Sequence, residues 1–187
     1  VGAGGAGVVF MTTVLGYEKD RMLVWLHPLE SFANQIQFPD NVSGRDHAWQ
    51  TVQSLYAIGS GGLLGQGPGN SRQKHLFLPE PQNDFIFAIL CEEMGFIGAL
   101  VVVVLFGLLV WRGFTIALSA PDKFGTMLAF GLTIQIGLQV ALNIAVVSNL
   151  MPNTGISLPF FSYGGTSILM RMAQMGIVLS VSRQSRA

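Results

Sequence analysis

From Phe85 to Trp111 only Glu92 and Glu93 carry charge, and this run exceeds the roughly 20 residues a helix needs to cross a bilayer. It follows a polar, proline-punctuated stretch, Pro79-Glu80-Pro81-Gln82-Asn83-Asp84. Asp84 therefore stands where a loop becomes an apolar helix. Its ordinary role there is to start the helix, since Asn83 or Asp84 can accept from free N–H groups of the first turn. A carboxylate at such a junction also meets both water and lipid headgroups, and can take a proton from a lipid-linked substrate. The neighbouring Arg72, Lys74, His75 and Glu80 make this loop unusually rich in ionisable groups. Glu92 is not a second carboxylate for the same reaction. Eight residues on, it lies about 12 Å along the helix, outside the roughly 5 to 9.5 Å between paired glycosidase carboxylates.

Half of the 187 residues are hydrophobic and 11% are charged, which places the chain among membrane proteins rather than soluble domains. Net charge is zero, so there is no nucleic-acid footprint. Cys91 is the one cysteine, which removes a disulfide framework and a thiolate metal cluster. The opening residues lack an initiator Met and the basic start of a signal peptide, and are expected to be a fragment beginning inside a spanning helix.

In chain order, the small residues Gly2 to Gly7 suit close helix packing in lipid. Met22 to Asp46 reads as an interfacial loop. Between Ala48 and Gly65, Trp49, Val52, Leu55, Tyr56 and Ile58 recur at helical spacing opposite Gln50, Gln53 and Ser54. Such a helix must hide its polar face from lipid. Gly59 to Gly62 and Gly65 to Gly69 break it by turn chemistry, and no Gly-Lys-Ser/Thr follows to make a phosphate loop. Trp111 to Lys123 is a polar connection. The uncharged span 125–151 carries Gln135, Gln139 and Asn143 at i, i+4, i+8, a face expected to point into the bundle, or equally one that only bonds neighbouring helices. Pro152 to Gly165 is too apolar for a free loop and too broken by Pro and Gly for a helix. Irregular backbone at that depth is tolerated where protein buries it or water reaches it, which makes it a second candidate wall, with Ser162 and Tyr163 as its polar groups. A final span runs to Val181.

The expected architecture is all-α, a polytopic membrane helix bundle with segments at about 1–17, 48–66, 85–111, 125–151 and 164–182. If 48–66 crosses, Lys19, Arg21, Arg112, Lys123, Arg183 and Arg186 all fall on one side, which the positive-inside rule makes cytoplasmic. The loops 67–84 and 152–163 then both face outward. Arg171 falls mid-span, where a charge is expensive, and is expected to turn inward with Gln174 as a partner.

Gly59-Ser60-Gly61-Gly62, Gly65 to Ser71, Leu78-Pro79-Glu80, Asn83-Asp84-Phe85-Ile86-Phe87-Ala88, Glu92-Glu93-Met94-Gly95 and Leu158-Pro159-Phe160-Phe161-Ser162-Tyr163-Gly164-Gly165-Thr166-Ser167 together resemble the SEDS family of FtsW, RodA and SpoVE. The resemblance covers essentially the whole chain as the C-terminal half of a ten-helix fold. It implies a peptidoglycan glycosyltransferase of the bacterial cytoplasmic membrane that polymerises lipid II outside the cell beside a class B penicillin-binding transpeptidase. Asp84 matches the family's essential aspartate and would act as general base. Ser162, Tyr163 and Gly164 match its other functional stretch, or equally a structural break that shapes the bundle. Lys74 and Glu80 are further substrate-contact candidates, Lys74 towards phosphate. No cofactor follows, and a divalent cation at the diphosphate stays open. Two departures stand out: the family's N-terminal half is absent, and Arg171 replaces an expected apolar residue.

Two other classes compete. Glu92, Glu93 and Arg171 within spans fit a lipid flippase or transporter. A non-catalytic scaffold for a transpeptidase is the third reading.

Overall fold

A computed structural model of the chain describes residue 22 and residues 25–27, 42–67, 69 and 84–184, the side chains of 42–49 excepted. The expected segment 1–17 and the candidates Lys74 and Glu80 lie outside the described residues. Four helices are delimited among them, α1 (Val42–Gly61), α2 (Ile86–Leu118), α3 (Lys123–Val147) and α4 (Gly165–Gln184), and Met22, Trp25 and Leu26 are helical as well. The fold is all-α.

Helices α2 and α3 are long and apolar enough to cross a membrane. Their outward faces are apolar as well, with Phe96, Leu100, Val104, Leu105, Leu108 and Trp111 of α2 half or more exposed. A helix apolar all round is what a lipid solvent selects, whereas water would demand a polar outer stripe. Between helices in lipid, close approach replaces hydrophobic drive. Gly113 provides it, since a Cβ there would meet Thr133 Oγ1 of α3 at 2.4 Å.

Two boundaries differ from expectation, each for a local reason. The stretch from Trp111 is not a polar connection, because α2 continues to Leu118. One exposed Arg112 does not end a helix whose next turn buries Ile116 and Ala117 against Ala129, Val178 and Val181. The connection shrinks to 119–122, and Asp122 Oδ2 accepts from Gly125 N at 3.1 Å to cap α3. At its other end α3 stops at Val147 rather than Met151. Asn149 adopts φ +58, while Leu150 N donates to Ala145 O and Asn149 N to Val146 O. That is the Schellman pattern, with asparagine in the left-handed position.

Helix α1 departs further from its expected span. Its polar face is indeed hidden, with Thr51, Gln53 and Ser54 buried and Tyr56 outside. It does not run the length of the bundle, however. Ser54 Oγ donates to Val147 O at 3.3 Å and Asn153 Nδ2 to Gln50 Oε1 at 3.3 Å, so this part of α1 lies at the end of α3 nearest Asp84. From there it descends only to Gly61, whose added Cβ would meet Cys91 O at 2.0 Å. Cys91 is five residues into α2, about 8 Å of helix, well short of the roughly 30 Å hydrocarbon core. Trp25 joins the same end, donating Nε1–H to Asn149 O at 3.0 Å.

What stops α1 there is a break in α2. Gly95 has φ 68 and ψ −168, so the helical bonds of Phe96 N and Ile97 N to Glu92 and Glu93 are lost. Instead Phe96 N donates to Gly62 O and Ile97 N to Leu63 O, while Glu92 O and Glu93 O accept from Gln66 N and Gly67 N. The turn after α1 thus replaces, bond for bond, the ladder that the break removes. Glycine is required on both sides, because a Cβ on Gly65 would meet Glu93 O at 2.2 Å and one on Gly95 would meet Gly65 N at 2.3 Å.

Candidate active site

Asp84 is held at the mouth of α2 by its backbone rather than by being the cap. The N-cap position falls on Phe85, which is buried and whose carbonyl accepts from Ala88 N at 3.0 Å. With Phe85 anchored in the core, the Asp84 carbonyl turns into the bundle and accepts from Asn143 Nδ2 at 2.9 Å. The same nitrogen donates to Ile156 O at 2.6 Å. One side chain of α3, 1% exposed, therefore ties the Asp84 loop to the loop between α3 and α4. Asp84 is half-buried, and its Oδ2 lies beside Gly155, where an added Cβ would come within 3.5 Å.

Gly155 fits that position for two reasons. Its φ of +68 is one that side-chain-bearing residues rarely adopt, and its missing side chain leaves room beside the carboxylate. Asn153 supports the turn, accepting from Gly155 N at 3.1 Å.

From Gly155 the chain descends along the polar face of α3. Asn143 takes Ile156 O, and one helical turn lower Gln139 Nε2 takes Ser157 O at 2.9 Å. Extended backbone inside an apolar bundle must find donors for its carbonyls, and these two amides supply them. The triplet Gln135, Gln139 and Asn143 thus serves loop and helix contacts. Leu158 and Pro159 then bury almost completely, and Phe161 packs on Phe106 of α2 with ring centroids 6.0 Å apart.

The other candidates of this loop follow that descent. Ser162 is buried, with its N–H donating to Leu158 O at 3.1 Å. Tyr163 is 78% exposed, and Gly164 opens α4 by accepting from Ile168 N at 2.9 Å. Gly155 lies beside the Asp84 carboxylate and Ile156 shares its Asn143 donor; sequence reasoning did not single out either residue. The available signal was Asn143 as the third amide of a stripe, opposite the Pro-Asn-Thr-Gly run.

Arg171 turns inward, as its cost in lipid requires. Its Nη1 donates to Gln174 Oε1 at 2.9 Å and its Nη2 to Gln139 Oε1. Gln174 Nε2 in turn donates to Gln135 Oε1 at 3.2 Å. Glu92 is buried, and Glu93 Oε1 is buried without a hydrogen-bond partner among the described residues. Among those residues no group of three His, Cys, Asp or Glu side chains could hold a metal ion. A groove of about 470 Å³ between α2 and α3 is lined by apolar residues such as Phe106, Val110, Phe114 and Val140, and offers no acid or base.

The arrangement is therefore one carboxylate at the rim of a helix bundle, fixed through its own carbonyl and facing a glycine of a second loop. The chain is 56% identical over 138 residues to stage V sporulation protein E of Bacillus subtilis, covering 74% of this chain and 38% of that one. It is 40% identical over 180 residues to a probable peptidoglycan glycosyltransferase FtsW of Geobacter sp. strain M18, covering 96% and 46%. It thus spans less than half the length of the curated relatives it matches. Among solved structures it resembles a chain of a peptidoglycan synthase complex (TM-score 0.63, 27% identity, covering 96% of this chain and 47% of that one). It also resembles the rod shape determining protein RodA of Thermus thermophilus (TM-score 0.54, 30% identity, covering 90% and 57%). The sequence model of the FtsW/RodA/SpoVE group, described as cell cycle protein, matches residues 1–187, and with these relatives it establishes that the chain belongs to that membrane-protein family, the SEDS proteins.

Proposed function

We propose that this chain is the C-terminal half of a peptidoglycan glycosyltransferase that polymerises lipid II at the outer face of the bacterial cytoplasmic membrane, with Asp84 as its general base. Asp84 takes the proton of the acceptor sugar's C4 hydroxyl as that oxygen attacks the donor's anomeric carbon. The new C–O bond forms as the bond to undecaprenyl diphosphate breaks, and the leaving diphosphate carries off the electron pair. A single base suffices for this inversion. The observation that carries the reading is the half-buried Asp84 carboxylate beside Gly155, with both loops tied to Asn143.

Arg112, Lys123 and Arg183 sit at the other end of the helices. By the positive-inside rule that end is cytoplasmic and Asp84 is extracellular. Lys19 and Arg21 lie outside the described residues and are left out of this count. Ser162, Tyr163 and Gly164, with Lys74 and Glu80 on the loop before Asp84, are the further substrate contacts. A class B penicillin-binding transpeptidase is the expected partner, in keeping with the peptidoglycan synthase complex among the structural neighbours. The transporter alternative loses Arg171, whose guanidinium is engaged by Gln139 and Gln174.

In the full-length protein carrying this chain, Asp84→Asn is expected to lower glycan polymerisation from lipid II by at least about 10²-fold with insertion and folding unchanged. Polymerisation at the wild-type rate removes Asp84 as the base. Lipid translocation that stops when Glu92, Glu93 and Arg171 are neutralised, with Asp84 dispensable, supports the transporter instead.

A further inference from the structure

Arg171 is a cation inside an apolar helix, and the partners the structure gives it are neutral. Both are amide oxygens, and its buried Nε has no partner among the described residues. A charge desolvated against two amides and one orphaned N–H gains little stability over an apolar residue of the same size. Its effect is on direction. Arginine only donates, whereas a glutamine amide can present either its oxygen or its nitrogen. Beside Arg171, Gln139 must turn its Oε1 to the guanidinium, which leaves Nε2 aimed at Ser157 O, 2.9 Å away. Gln174 is oriented in the same way, and its Nε2 reaches Gln135.

We infer that Arg171 is a positioning residue for the Asp84 site: it sets the orientation of the Gln139 amide, and through the Gln139–Ser157 bond it fixes the loop whose Gly155 faces Asp84. The path consists of contacts already described. Ser157 O hangs on Gln139, the preceding Ile156 O hangs on Asn143, and Asn143 also holds Asp84 O. Without Arg171, Gln139 is free to turn and Ser157 O loses its fixed donor. The loop then keeps only the Asn143–Ile156 bond of its two anchors on α3. Displacements of about 1 Å at a reacting group cost up to about 10²-fold in rate.

This inference rests on the glycosyltransferase reading for its kinetic arm, so one readout is independent of activity. In the full-length protein, Arg171→Met is expected to leave the unfolding temperature no lower, to lower kcat for lipid II polymerisation about tenfold and to keep KM within about twofold. Amide exchange at residues 156–158 should rise about tenfold while exchange in α2 stays the same. Arg171→Lys remains donor-only and orients one amide, so it should keep kcat within about threefold of wild type. Gln139→Glu still accepts from Arg171 but cannot donate to Ser157, and should show the tenfold loss even if the methionine variant fails to fold. Wild-type kcat in Arg171→Met or Gln139→Glu overturns the inference, as does an equal loss in the methionine and lysine variants. If the wild-type protein does not polymerise lipid II, the functional reading fails, and exchange at 156–158 alone decides: faster in Arg171→Met upholds the clamp, unchanged refutes it.

Discussion

Replacing Gly95 by alanine separates two descriptions of α2 by sign. In an unbroken helix, alanine is more stable than glycine by about 1 kcal/mol, so Gly95→Ala would stabilise the protein. In the structure the same change meets a backbone at φ 68 and ψ −168, which costs a side-chain-bearing residue about 1–3 kcal/mol. Its Cβ would also stand 2.3 Å from Gly65 N and 2.6 Å from Leu63 O. These are main-chain atoms that cannot swing aside, so the Gly62–Gly67 turn must withdraw. If residue 95 closes into a regular helix, Phe96 N and Ile97 N recover Glu92 and Glu93 and the strain is relieved, while Gln66 N and Gly67 N lose their acceptors. Two bonds lost at about 1 kcal/mol each, less the roughly 1 kcal/mol by which a helix favours alanine, give a net destabilisation of about 1 kcal/mol, and a break that persists costs more because the strain then stays. The measurement is reversible unfolding of the full-length protein in mixed micelles, with Gly107→Ala as the control. Gly107 lies in the same helix with nothing within 4 Å of its would-be Cβ, so there alanine should be neutral or stabilising by up to about 1 kcal/mol. Equal stabilisation at both positions would refute the exchanged ladder, and with it the reason α1 ends where it does.

Removing Asn143 strands two carbonyls at once, so Asn143→Leu should destabilise by about 2–4 kcal/mol and reduce polymerisation more than Arg171→Met does; denaturant unfolding and lipid II turnover of the same preparation check both. Asp122→Ala removes the α3 cap at the far end of the bundle and should cost about 1 kcal/mol with turnover unchanged. A fall in turnover there would mean that stability alone governs activity in this protein, and the interpretation of the Asn143 and Arg171 variants would have to change.

Helix class and the polar stripe were legible in the amino-acid order because both depend on local periodicity and on what lipid tolerates. The run after Phe85, charged only at Glu92 and Glu93, can only be a helix in a bilayer, and Gln135, Gln139 and Asn143 at four-residue spacing can only share a face. Asp84 was legible as a junction residue for the same reason, and the inward turn of Arg171 followed from its cost in lipid. Boundaries were harder. Arg112 reads as the start of a loop, yet one exposed charge does not outweigh the next buried turn, and Asn149 ends α3 through backbone dihedrals that side-chain hydropathy does not encode.

The path of α1 and the partners of Asp84 belonged to the tertiary structure alone. Glycines 61, 62, 65 and 95 announce turns, but their spacing does not say that one turn completes the broken ladder of another helix some thirty residues on. Nor does the order of residues disclose that Asn143, 59 positions from Asp84, holds its carbonyl. Hydropathy is a property of each residue against its solvent and survives in one dimension. The pairing of a carbonyl with a distant amide depends on which segments pack together, and only the folded bundle brings them within 3 Å.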